Sequence, residues 1–214
     1  MARVTLRTPA CHFFQRFSGA EDILIGSPYF TKIRSPEENN YQGNQDCSEC
    51  GRISYFRRIN IDELGSKQQG AIKFELIKTL EGKETFGRFG YSIVKLGNID
   101  SFPGDEFAVS APGSGNTAGA VFILSWNNLK KELVITQEIS SKSMPNIQPE
   151  NSQTNTKKFL SHFGQSLSPT QADLDENEYP DIAIGAQEKV LVYNTRPVVI
   201  DYVRAELITT DEIN

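Results

Sequence analysis

Apolar residues in this chain come in short bursts separated by polar stretches. The bursts include "DILIGSP" (22–28), "GRISYF" (51–56), "AIKFELIKTL" (71–80), "EFAVSAP" (106–112), "GAVFIL" (119–124), "ELVITQEI" (132–139), "DIAIGAQ" (181–187) and "EKVLVY" (188–193). They are rich in β-branched and aromatic residues, alternating or continuous, and bounded by Gly, Pro or Asn. Such a pattern predicts strands throughout and an all-β fold.

The bursts repeat as a unit. "DILIGSP", "EFAVSAP" and "DIAIGAQ" each open on an acidic residue and end on small ones, and a second apolar segment follows each. The three acidic residues, at positions 22, 106 and 181, are spaced 84 and then 75 positions apart. Phe89–Gly90 and Phe163–Gly164 precede the second and third units. About three or four strands in each of the first two units suits a propeller blade, a small antiparallel sheet whose inner strands are buried on both faces. Two polar stretches, 31–51 and 140–158, read as exposed excursions between strands.

Composition narrows the class. The 214 residues are 38% hydrophobic and 23% charged, a balance suited to a folded domain. A net charge of −5 without a basic run argues against a nucleic-acid surface. No apolar run approaches the roughly 18 residues of a membrane span. The first residues lack the continuous apolar core of a secretion signal.

Three cysteines occur, Cys11, Cys47 and Cys50. "CSEC" is compatible with a redox pair, half a zinc site or a small loop disulfide. Zinc would need two more ligands, and His12 and His162 have no ligand spacing. The favoured reading is a local bridge or two free thiols in a surface loop.

The chemistry concentrates in "ADLDENEYPDIAIGA" (172–186). Asp173, Asp175 and Asn177 alternate, so a tight turn can aim their side chains at one centre. The Tyr179 carbonyl can add a backbone oxygen, and Asp181 closes the cage. These are hard oxygen ligands, suited to Ca²⁺ and poorly suited to zinc or copper. A helix–loop–helix calcium site is excluded: it wants Gly where Glu178 stands and a carboxylate where Ile184 stands. Without an ion the stretch is a solvated acidic turn. In the second unit a weaker set is Asn98, Asp100 and Glu106, with Phe102 at a position where a side-chain ligand would be needed. In the first unit only Asp22 remains, so that loop is expected to be empty. Trp126 is expected to pack between blades, and His162 to be a strand-edge residue rather than a base.

The segments "FGYSIVKLGNIDSFPGDEFAVSAP" (89–112) and "FGQSLSPTQADLDENEYPDIAIGA" (163–186) resemble FG-GAP repeats. The segment "KVLVYNTRPVVIDYVRAEL" (189–207), with Arg196–Pro197–Val198, resembles the exit of an integrin α subunit from its seven-bladed propeller. That resemblance implies an open, partial propeller of about three blades. Residues 1–17 do not match. Residues 18–85 would be an incomplete blade, 86–158 a blade, 159–195 the last blade with the calcium loop, and 196–214 the start of an immunoglobulin-like leg domain. It also implies an integrin β-subunit partner, an extracellular-matrix or cell-surface ligand, a parent on the outer side of the cell membrane, and no enzymatic activity. Two other readings stand beside it. One is a set of blades accessory to a secreted phospholipase that cleaves lipid anchors; the other is a calcium-binding blade array with no adhesion role.

Overall fold

The computed structural model describes residues 22–33, 46–59, 73–99, 105–127, 132–141, 160–168 and 173–195. Several expectations lie outside these residues: residues 1–17 with Cys11, His12 and the phenylalanines at 13, 14 and 17; Asp100 and Phe102; most of loop 140–158; and the leg-domain start at 196–214.

The described chain forms three antiparallel sheets. The first has the order β1–β2–β3, with β1 Ile23–Ser27, β2 Arg52–Ile59 and β3 Lys73–Glu81. The second runs β4–β5–β6–β7, with β4 Ile93–Gly97, β5 Glu106–Ala111, β6 Ala120–Asn127 and β7 Glu132–Ser140. The third has β8 Ser166–Leu167, β9 Ile182–Ala186 and β10 Lys189–Tyr193, with β9 in the middle. One helical turn, α1 (Ser114–Thr117), interrupts the strands, and Gly115 and Asn116 within it are left-handed. The protein is an all-β, partial and open β-propeller.

Alternation explains how one sheet can serve two cores. Side chains of successive strand residues point to opposite faces. On β5, Phe107 and Val109 enter a core shared with Leu24, Ile53 and Tyr55 of the first sheet. Their neighbour Ala108 enters a second core with Phe163, Ile182 and Ile184 of the third sheet. All six residues of β5 are therefore buried, as expected of an inner strand covered on both faces. Trp126 packs between blades as its sequence position suggests, its ring centroid 5.2 Å from that of Tyr55.

The Phe–Gly pairs form the joints. Phe89 and Phe163 make parallel bridges to Gly51 and Gly119 of the preceding sheet. Their amides donate to the carbonyls of Cys50 (2.9 Å) and Ala118 (3.1 Å). Gly51 and Gly119 have φ of +80° and +91°, and a Cβ on either would strike the carbonyl oxygen of Phe89 or Phe163. Only glycine meets both demands. The residues before the phenylalanines, Arg88 and His162, are also left-handed. His162 thus belongs to a joint rather than to a strand edge, and its amide donates to the Thr117 carbonyl at 2.7 Å.

The same joint corrects the reading of "CSEC". Cys50 occupies the place that Ala118 holds in the next joint, and both are buried. Cys47 is buried as well, and its backbone pairs with Lys32 in both directions. The two thiols are free, but they sit inside a seam between sheets rather than in a surface loop.

Candidate metal centre

The loop from Asp173 to Asp181 lies between β8 and β9 in the chain and runs directly into β9. Asp173 organises its first half. Its Oδ1 accepts the N–H of Asn177 at 3.0 Å and its Oδ2 that of Glu178 at 2.6 Å. Glu176 and Glu178 adopt φ of +59° and +71°. These alternating left-handed residues curl the backbone around the side chains of Asp173 and Asp175. Asp181 closes the loop from the strand side: its Oδ2 accepts the N–H of Leu174 at 2.7 Å and its Oδ1 that of Thr195 at 2.9 Å.

The result is convergence. Carboxylate oxygens of Asp173, Asp175 and Asp181 lie within 4.8 Å of one another, the first two exposed and the third buried. Like charges this close repel by about 1 kcal/mol per pair in water and about 4 kcal/mol near a protein surface. The sequence supplies no local relief, since no lysine or arginine occurs from residue 159 to residue 188. A hard divalent cation fits this donor set: all oxygen, mixed exposure, and an open side toward solvent.

The other two expected ligands are oriented as follows. Asn177 Oδ1 accepts the N–H of Tyr179 at 2.8 Å, and its Nδ2 donates to the Thr195 carbonyl at 2.6 Å. Tyr179 therefore meets Asn177 through its amide. Two residues that sequence reasoning missed complete the frame. Asn194 Nδ2 donates to Asp175 Oδ2 at 3.0 Å, and the Thr195 hydroxyl donates to the Pro180 carbonyl at 2.9 Å. Both follow β10 directly, so the loop is tied to the strand beyond β9. Thr195 also lines an open groove of about 370 Å³ between the second and third sheets, with Leu96, Ile99, Ile182 and Tyr193.

The equivalent turns differ. In the second sheet Glu106 Oε2 accepts the N–H of Ile99 at 2.8 Å, seven residues back, as Asp181 does with Leu174. Asn98 beside it is exposed. Here the neighbouring Asp105 is bridged at 2.7 Å by Lys95. In the first sheet Asp22 Oδ1 accepts the N–H of Arg58 at 3.2 Å, the counterpart of Thr195, and Oδ2 accepts the Tyr55 hydroxyl at 2.5 Å. Burial, and then the Asp22 partner, push the Tyr55 hydroxyl up to about 12. Arg57 lies over the Trp126 ring at 5.3 Å in the same cluster.

Comparison with known proteins agrees with this architecture. No family model matches the chain. Mouse integrin alpha-8 is 31% identical over 188 residues, covering 85% of this chain and 14% of that protein. Integrin alpha ina-1 of Caenorhabditis elegans is 32% identical over 187 residues, with 85% and 15% covered. Human integrin alpha-IIb is 30% identical over 201 residues, with 92% and 16% covered. The chain thus spans 14% to 16% of the length of these relatives. Sheets, Phe–Gly joints and matches together place this chain in the integrin α family, as a fragment of an α-subunit propeller.

Proposed function

We propose that the loop 173–181 is a structural Ca²⁺ site, with Asp173, Asp175, Asn177, the Tyr179 carbonyl and Asp181 as ligands. The observation that carries this reading is the convergence of three carboxylates within 4.8 Å, in a stretch of chain without lysine or arginine. The ion would offset that repulsion and pin β8, β9 and the Asn194–Thr195 segment together. No step of chemistry is assigned to it. The weaker second set, Asn98, Asp100 and Glu106, is a lesser candidate, because a lysine already neutralises Asp105 there.

The similarity to integrin α subunits supports a wider role. The full-length parent would be the α subunit of a heterodimeric cell-adhesion receptor, paired with an integrin β subunit. It would sit at the cell membrane with this propeller on the extracellular side, binding matrix or cell-surface ligands. Within the parent, blades 18–85, 86–158 and 159–195 would lead into a leg domain at 196–214. Among the described residues no helix is long and apolar enough to cross a membrane. No ligand-binding residues are assigned to these blades.

Terbium tests the site directly, since it replaces calcium among oxygen ligands and luminesces when Tyr179 or Tyr193 transfers excitation to it. Calcium-displaceable emission is expected from the 214-residue chain and from Asn98→Ala. Its loss in Asp175→Ala would support the site. Emission retained in that variant would remove it.

A further inference from the structure

A second pair of reactive groups lies far from the acidic loop, at the joint between the first two sheets. Cys47 and Cys50 are both free and buried. Ser48 and Glu49 make a tight turn between them, with Glu49 left-handed at φ +45°. The Cys50 sulfur lies 3.3 Å from the Cys47 carbonyl oxygen, inside that turn. A four-residue turn holds its end Cα atoms within about 7 Å, and a disulfide spans about 4.4–6.8 Å. The turn therefore brings the two α-carbons within the range a disulfide spans.

We propose that Cys47 and Cys50 are a redox modification site: they close to a disulfide by exchange with an external small-molecule or protein disulfide, and closure stiffens the seam between the first and second sheets. In the first step one cysteine thiolate attacks the external disulfide and expels a thiolate, leaving a mixed disulfide on the protein. In the second step the other cysteine sulfur attacks the protein-side sulfur and expels the second external thiolate. The two cysteines lose two protons and two electrons, and the external disulfide becomes two thiols.

The turn's backbone gives closure its effect. The amides of Phe86, Arg88 and Phe89 donate to the carbonyls of Ser48 (2.7 Å), Glu49 (3.0 Å) and Cys50 (2.9 Å). Three of the four turn residues thus hold the next sheet. The equivalent turn at the other joint, Gly115–Ala118, has no cysteine. It is fixed instead by the Glu84 carboxylate, which accepts the Gly115 N–H at 2.5 Å. Burial, and then the adjacent Cys50, push the Cys47 thiol up to about 11. Its thiolate is therefore scarce at neutral pH and exchange is slow, as suits a structural bond rather than a fast redox couple.

The test uses the whole chain, incubated with glutathione disulfide, quenched in acid, alkylated after unfolding and cut with trypsin. Residues 35–52, between Arg34 and Arg52, form one peptide holding both cysteines and excluding Cys11. The expected peptide is two hydrogens lighter than the reduced form and carries no alkyl group. Amide hydrogen exchange at 86–89 is expected to slow on oxidation. The Cys50→Ala variant, which places alanine where Ala118 stands in the next joint, is expected to fold and to carry one alkyl group or one glutathione on Cys47. Two alkyl groups on the parent peptide after oxidation, or a link to Cys11, would overturn the site. Unchanged exchange at 86–89 would overturn the stiffening.

Discussion

In the third sheet Asp181 shares a 4.8 Å neighbourhood with Asp173 and Asp175. In the first sheet Asp22 holds the same place before the strand, yet faces a phenol and the backbone of Arg58. One carboxylate oxygen does the same work in both, accepting the amide two residues past the last position paired with its strand (Thr195 after Tyr193, Arg58 after Phe56). The other oxygen differs. In the third sheet it anchors an acidic loop; in the first it takes a tyrosine hydroxyl. The closing carboxylate is thus a framework element of the blade, and the proposed ion site is an addition made by the acidic loop that precedes Asp181.

The largest effect that sharpens this contrast is expected from Asp181→Ala. Two part-buried hydrogen bonds to its carboxylate, from the amides of Leu174 and Thr195, would be lost, at about 3 kcal/mol. Urea unfolding without calcium measures it, because the loss belongs to the framework and not to the ion. A loss seen only with calcium present would break the contrast.

Tyr55→Phe comes next, with an expected loss of about 2 kcal/mol for a buried hydrogen bond to a carboxylate. It also has a pH signature. The folded protein holds the Tyr55 proton up to about 12, against an ordinary value of 10.0. The stability it contributes is complete below pH 10 and is lost as the pH rises toward 12. Alkaline unfolding should lose this component in Tyr55→Phe and keep it in Asp173→Ala.

Lys95→Met separates the second sheet from both. Its bridge to Asp105 is partly exposed, with side chains 24% and 11% accessible, so a loss of about 1 kcal/mol is expected. Calcium response should not change, since the ion is assigned to another loop. The smallest effect is expected from Thr195→Val, at about 0.5–1 kcal/mol. It removes only the hydroxyl bond to Pro180 and leaves the amide on Asp181. Parallel thermal melts would rank the two.

Most of the strand order was legible because β-branched residues in short bounded runs leave little choice of structure. β4 was the exception as a separate strand, since Lys95 and Gly97 break its apolar run. The alternation of Asp173, Asp175 and Asn177 before Asp181 announced a cluster, and its three carboxylates do converge. Thr195 was missed because two of its ties run through its backbone amide and carbonyl, which any residue offers, and Asn194 because its side-chain bond to Asp175 joins residues 19 positions apart. The Phe–Gly pairs were visible, but not their receptors. Gly51 and Gly119 matter for what a Cβ would strike, and that is a property of the neighbouring sheet. Cys50 was misread as a surface thiol for the same reason; aligning Cys50–Gly51 with Ala118–Gly119 would have revealed a small buried position.

We propose that calcium binds at 173–181 while Asp22 and its kin serve the framework. Calorimetric melting of the 214-residue chain with and without calcium tests it most directly, comparing the parent with Asp173→Ala and Asp22→Asn. Calcium at 100 times its Kd should stabilise the parent by about 2.7 kcal/mol. The same shift should persist in Asp22→Asn on a lower baseline and vanish in Asp173→Ala. An undiminished calcium shift in Asp173→Ala would contradict the account.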